Sequence, residues 1–335
     1  MSTPVVDTRT AAPITPNRER RRAWTGVVVV TLLVAAFPLV TSSQYFLHVA
    51  ILVLLNSVFA ASLGIIMRTG QLSLCHAGFA GIGGYISALC ALRLGIPPIL
   101  GVVIGGIGAG LVALPLGWVI LKLRGIYFVL VTFTFGEMLT LLAIDWQSMT
   151  EGANGLIGVP PIAIFGFSFD TRLSFFYLAG GFTLLVFLFT WRLLGAPMGR
   201  RFACLEENIQ LAESTGIDTR VTQVVAFVVG SAIAGMGGAM MTHYIHYISP
   251  DSFTFWTSVT FITMLVVGGR WSLAGPFLGA LIITPLPEFL RSAGGYQQVI
   301  YGAILILILQ FLPEGVAKVG ERLRRLRTRR NGRTA

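Results

Sequence analysis

Apolar runs close to the ~20-residue length that carries a helix across a bilayer recur from Trp24 to Leu312, separated by short polar breaks. Inside lipid no water is available to pair backbone amides and carbonyls, so a chain that crosses repeatedly does so as helices. With 55% hydrophobic and only 11% charged residues, the pattern predicts an all-α integral membrane protein rather than a water-soluble domain.

Charge then sets the threading. Arg18, Arg20, Arg21 and Arg22 precede the first apolar run and hold it by the positive-inside rule. Alternation from there predicts about ten transmembrane helices: Trp24–Val40, Tyr45–Met67, Leu72–Leu94, Pro98–Leu121, Ile126–Trp146, Leu173–Leu194, Val221–Tyr247, Phe253–Val267, Leu273–Leu290 and Gln297–Leu312. Both termini are then cytoplasmic, and only Arg93, Arg172 and Arg291 fall outside. Residues 1–23 form a basic arm, 24–312 the membrane domain, 147–172 an outer loop, 199–220 a cytoplasmic loop and 313–335 an Arg-rich tail. Phe253–Val267 is short enough for a half-helix or re-entrant segment. The long basic region ahead of Trp24 favours an uncleaved first span over a signal peptide.

The net charge of +10 sits in tails flanking apolar spans, without aromatic interleaving, so it reads as membrane anchoring and lipid contact rather than nucleic-acid binding. Cys75, Cys90 and Cys204 have no metal-ligand spacing. His243 and His246 lie three apart with no third ligand nearby and read as interfacial. Lys122 and Lys318 are the only lysines and neither follows glycine, which excludes a Walker A loop. Nucleophile-elbow and zinc-protease signatures are also missing. The chain is not expected to be an enzyme, and no cofactor or metal is implied.

Glycine accounts for 39 residues, several at four-residue spacing: Gly101 and Gly105, Gly106 and Gly110, Ala80 and Gly84, Ala234 and Gly238. Small residues at that spacing let helix backbones approach closely. Gly78, Gly81, Gly83 and Gly84 crowd one span, while Pro115, Pro285 and Pro287 interrupt others, so irregular spans around a path are expected. Glu137 lies midway along an apolar span. An intramembrane carboxylate needs a wet cavity or a partner, which leaves a pathway role and a structural role both open. On the cytoplasmic loop, Phe202, Leu205, Ile209 and Ala212 recur at helical spacing opposite Glu206, Glu207, Gln210 and Glu213, and Gly216 supplies a helix end. An acidic amphipathic helix of this kind is expected to dock in a partner's groove through its apolar stripe.

Taken together, Thr69 through Tyr85 (TGQLSLCHAGFAGIGGY), Leu123 through Phe128 and Thr132 through Glu137 resemble the LivM-type permeases of branched-chain amino acid ABC importers. So do Glu151 through Pro160, Ala212 through Ile217, Ile248 through Pro250 and Gly268 through Pro276, in that order, over roughly residues 45–315. Cys75 departs from the glycine usual there. The resemblance implies a type II ABC importer permease fold, a LivH-like second permease, two ABC ATPase subunits that hydrolyse ATP, and a periplasmic binding protein delivering branched-chain or related small amino acids at a bacterial inner membrane. It implies pathway or substrate contact for Gln71, Ser73, His76, Thr132, Thr134 and Glu137. It implies ATPase coupling for Arg200, Phe202, Leu205, Glu206, Ile209, Glu213 and Gly216, and binding-protein docking for Asn154 and Gly155. The alternative reading is a gradient-driven secondary transporter or channel. Such proteins usually carry inverted repeats, whereas the one internal similarity here, Gly70 through Leu74 against Gly269 through Leu273, precedes two spans that both run outward.

Overall fold

The computed structural model describes residues 43–164, 166–290, 296–311 and 315–317. Its helices are α1 (Gln44–Met67), α2 (His76–Leu94), α3 (Pro98–Ile120), α4 (Ile126–Asp145), the short α5 (Gln147–Thr150), α6 (Arg172–Gly195), α7 (Pro197–Glu207), α8 (Ile209–Ser214), α9 (Thr219–Ile245), α10 (Phe255–Gly268), α11 (Gly275–Ile283), α12 (Leu286–Phe289) and α13 (Gln297–Phe311). The end of the bundle holding Arg68, Arg124, Glu206 and Arg270 is called the base below, and the end holding Arg93 and Arg172 the top.

Among the described residues, seven helices are long and apolar enough to cross a membrane. The described residues do not confirm the expected ten. Trp24–Val40 lies outside the described residues. The span expected at Leu273–Leu290 is instead the nine-residue α11 and the four-residue α12, separated by Thr284 and Pro285 because proline cannot donate to the helical ladder. The segment expected from Leu72 becomes helical only at His76. Pro115, by contrast, is carried inside α3 without ending it.

At the centre stand α1, α2, α3 and α9, and small residues explain their closeness. A Cβ on Gly83 would collide with the backbone carbonyl of Gly235, one on Gly105 with that of Gly83, and one on Gly238 with that of Ala80. With no side chain between them, backbones gain dispersion contact that branched residues would block. Phe79, Phe128 and Phe227 fill the space around these seams, fully buried. By contrast α4 is nearly bare, with only 11% of its span window buried. Its base end begins at Gly125, whose φ of 58° is the left-handed geometry that lets the chain turn sharply out of α3.

The top carries the only strands among the described residues. β1 (Leu156–Ile157) pairs antiparallel with β4 (Tyr247–Ile248), matching Leu156 to Ile248 and Ile157 to Tyr247. β2 (Ala163–Ile164) and β3 (Phe167–Ser168) form a small hairpin.

Candidate functional site

Between α1 and α2 the chain runs from Arg68 to Cys75 without regular structure, yet Thr69, Gln71, Ser73 and Cys75 are buried. Irregular backbone at this depth must find hydrogen-bond partners from other elements. Thr132 on α4 accepts from the Leu74 amide at 3.2 Å, and Ser258 on α10 accepts from the Ala77 amide at 3.0 Å. His76 Nε2 and Ser62 Oγ are 2.7 Å apart, while Ser62 Oγ donates to the Phe59 carbonyl at 2.9 Å. The histidine nitrogen must then be the donor, which leaves His76 Nδ1 an acceptor without a partner among the described residues. The structure thus brings Ser73, His76 and Thr132 together around one broken helix start, with Gln71 buried just before it. In this conformation they are interior groups, closed to solute.

Glu137 and Thr134 lie elsewhere. Thr134 is exposed and donates to the Leu130 carbonyl at 3.0 Å. Glu137 is partly exposed on the sparsely covered α4, and no hydrogen bond or ion pair reaches its carboxylate from the described residues. Its compensation does not come from the described residues.

At the base, the expected single amphipathic helix is two. Asn208, extended at φ −160°, ends α7 and caps α8 by accepting from the Leu211 amide at 3.0 Å. Gly216, at φ 82°, follows the end of α8. The apolar stripe does not face a partner as expected. Phe202 is fully buried and Leu205 nearly so, with Phe202 packed among Val58, Ile65, Val186 and Ala226 of this chain. Folding the stripe inward satisfies the hydrophobic effect locally. Left outward are Arg200, Cys204, Glu207, Glu213, Gly216 and Leu211, the last 63% exposed, while Ile209 is half-buried.

Three contacts fix this segment to the bundle. Glu206 pairs with Arg270 at 3.7 Å, and Glu213 pairs with Arg124 at 3.3 Å while accepting from Thr219 at 3.0 Å. Arg220 donates to the Trp118 carbonyl at 2.6 Å and lies over the Trp118 ring at 4.2 Å. Burial raises the Glu206 carboxyl above its ordinary range even though Arg270 and Arg68 pull it down. Gly70 also abuts this helix, since a Cβ there would lie 3.9 Å from Glu206 Cα, and Arg68 donates to the Trp271 carbonyl at 3.0 Å. Gly70 and Arg270, one from each of the two similar pentapeptides, therefore both lie against Glu206.

At the top, Asn154 is exposed and its carbonyl accepts from Tyr247 at 2.9 Å. Gly155 is buried at φ 71°, where a Cβ would strike the Ile248 carbonyl, so glycine is required there. His243 and His246 are loop clamps rather than free interfacial groups. His243 Nδ1 lies 2.7 Å from the Pro160 carbonyl and Nε2 lies 2.8 Å from Ser87, while His246 Nδ1 lies 2.9 Å from the Val159 carbonyl.

The model of the branched-chain amino acid transport system / permease component family matches residues 45–309. This chain belongs to that family. The LivM permease protein of the high-affinity branched-chain amino acid transport system of Escherichia coli strain K12 is 28% identical over 314 residues, 87% of this chain and 74% of the relative. The LivH permease protein of the same kind of system in Salmonella typhimurium is 27% identical over 267 residues, 74% of this chain and 85% of the relative. A probable LivM permease protein of Methanocaldococcus jannaschii is 28% identical over 148 residues, 39% of this chain and 43% of the relative. No solved structure matches.

For this permease, reading the sequence missed Arg124, Arg220 and Arg270 as fasteners of the base segment and the histidines as loop clamps. The arginines registered only as topology markers, since charge counting ignores which acid each one meets. A Glu to Arg spacing of 64 or 89 residues carries no local signal.

Proposed function

We propose that this chain is one permease half of a type II ABC importer for branched-chain or related small amino acids. A LivH-like permease completes the membrane path, two ATPases act at the base, and a periplasmic binding protein docks at the top around Asn154 and Gly155. The assembly sits in the bacterial inner membrane with both termini of this chain cytoplasmic, as the distribution of arginines favours.

The observation that carries the reading is Glu137. A carboxylate partway along an apolar span, on the least covered of the described spans, is costly in lipid, so α4 faces the second permease and a hydrated path between the two. The base segment supports ATPase coupling in a revised form. Phe202 and Leu205 anchor it, while Arg200, Glu207 and Leu211 offer the contact surface. Glu206 and Glu213 carry its displacement to the α10–α11 turn and to Arg124, next to the Gly125 bend below α4. That route links nucleotide-driven closure to the path wall.

Reconstitution of the chain with a LivH-like permease, the ATPases and the binding protein in proteoliposomes tests this. ATP-dependent leucine uptake is expected. Uptake driven by an ion gradient in this chain alone, with no response to ATP, would sink the importer reading.

A further inference from the structure

Between α2 and α4, bordered by α5 and the 3-10 turn Pro250–Phe253, runs a cleft of about 310 Å³. Its walls are apolar, formed by Ile82, Leu89, Leu139, Leu142 and Trp146, while Gly78 and Gly81 leave part of one side smooth. The bordering hydroxyls of Thr140 and Thr150 are spent on backbone, donating to the Gly136 carbonyl at 3.3 Å and the Ala143 carbonyl at 2.6 Å. A charged solute entering here would lose its hydration and find no replacement. The cleft suits an occupant that is itself apolar.

Its length narrows the choice. Along α2 the lining runs from Gly78 to Leu89, ~16 Å at the usual helical rise. The hydrocarbon core of a bilayer is ~30 Å thick, so the cleft has the reach of an acyl chain in a single leaflet, on the side of the top. A side chain from a neighbouring subunit would fill only part of that length. An apolar cavity of ~150 Å³ accepts a benzene, so this volume has room for a run of methylenes.

The upper rim carries a charge. Met149 lines the cleft, and Arg93 near the end of α2 donates to Met149 Sδ at 3.2 Å and to the Ser148 carbonyl at 2.5 Å. Arg93 is exposed and pairs with no carboxylate among the described residues. A guanidinium has more N–H donors than its contacts here use, and its planar fork matches a phosphate. Beside it Trp146, 48% exposed, has the amphipathic ring that settles at headgroup level.

We propose that this cleft holds one acyl chain of a phospholipid from the leaflet at the top, with the lipid's phosphate on Arg93. The inference needs the membrane setting of this chain and is independent of which substrate the importer carries.

The test uses the complete importer, purified in a non-ionic detergent and titrated with phosphatidylglycerol bearing a diazirine midway along one acyl chain. Cross-links are expected at Leu139, Leu142 and Met149, and excess unlabelled phosphatidylglycerol should compete them away. A diacylglycerol with the same diazirine chain lacks the phosphate and should label these positions about five-fold less, the effect of one basic residue near an anionic headgroup. Arg93→Gln should bring phosphatidylglycerol down to the diacylglycerol level, whereas Arg172→Gln, at the other arginine of the top, should change nothing. Leu142→Trp, which narrows the cleft, should lower labelling of Leu139 by both probes. The diacylglycerol comparison is made on wild-type protein, so it decides even if Arg93→Gln does not assemble. Equal labelling by the two probes would overturn the proposal. So would label spread evenly down α4 to Leu130, which marks bulk contact, or a cleft that cross-links to the second permease and to no lipid.

Discussion

The Glu206 carboxylate lies 3.7 Å from a guanidinium nitrogen of Arg270, fastening α7 to the turn between α10 and α11. The contact joins a side chain that is 11% exposed to one that is 48% exposed. Desolvation of the acid outweighs the attraction of Arg270 and Arg68, so its folded-state pKa is raised. A raised carboxyl pKa stabilises the fold fully below the ordinary value of 4.5, and that contribution is lost as pH climbs through the folded value. Glu206→Gln should therefore flatten the pH dependence of thermal unfolding between the ordinary and the raised folded value and leave the protein as stable or more so at neutral pH. Arg270→Ala should cost no more than about 1 kcal/mol, since the guanidinium is half in solvent. Unfolding midpoints across pH, on purified protein, decide it. An unchanged slope in Glu206→Gln would show that another group titrates.

Glu137 gives a separate expectation. Because no group among the described residues meets the carboxylate, Glu137→Leu should leave the stability of this subunit within about 0.5 kcal/mol, the usual range for substitutions away from packed or paired sites. Transport by the assembled importer should nevertheless fall sharply in both Glu137→Leu and Glu137→Gln. Measuring the unfolding midpoint and ATP-dependent uptake on the same preparations separates the two effects. Unfolding of the leucine variant would place the residue's partner within this chain after all.

Anchor and contact surface at the base are separable by mutation. Phe202→Ala removes a fully buried ring and should cost about 3–5 kcal/mol in stability. Leu211→Asp changes a side chain that is 63% exposed and should leave the midpoint alone while weakening ATPase co-purification. If the aspartate variant retains the ATPases at wild-type yield, Leu211 is outside the contact.

The glycine seams can be tested in pairs. Gly83→Ala drives a methyl group into the Gly235 carbonyl and should cost about 1–3 kcal/mol from overpacking. Gly181→Ala meets nothing within 4 Å and should gain up to about 1 kcal/mol from helix propensity. Equal midpoints for the two variants would mean that α2 and α9 stand further apart than described.

Much of this architecture is legible in the amino-acid order, and the failures have physical causes. Apolar length locates the long helices because the bilayer imposes a span, and Gly216 marks the end of α8 because only glycine turns cheaply at positive φ. Hydropathy could not locate the start of α2, because Leu72, Leu74 and Cys75 are as apolar as helix residues while the Leu74 and Ala77 amides are met by hydroxyls of Thr132 and Ser258, 58 and 181 residues away. Periodicity correctly marked Phe202 and Leu205 as one face and said nothing about which neighbour covers it. Glu137 was legible as an exceptional residue because charge is rare in a span, yet the rarity of charge says nothing about which groups surround it.

The longest helix among the described residues ties the two ends of the bundle into one mechanical element. α9 has 27 residues, ~40 Å of stiff rod at the usual helical rise. Asp218 caps its lower end beside the Glu213–Thr219 bond, and His243 and His246 hold the outer loop at its upper end. A load placed on that loop and a load placed on the base segment therefore act on opposite ends of one strut. A binding protein seated above and an ATPase seated below would each work against the same lever, with no need for a bond to break between them.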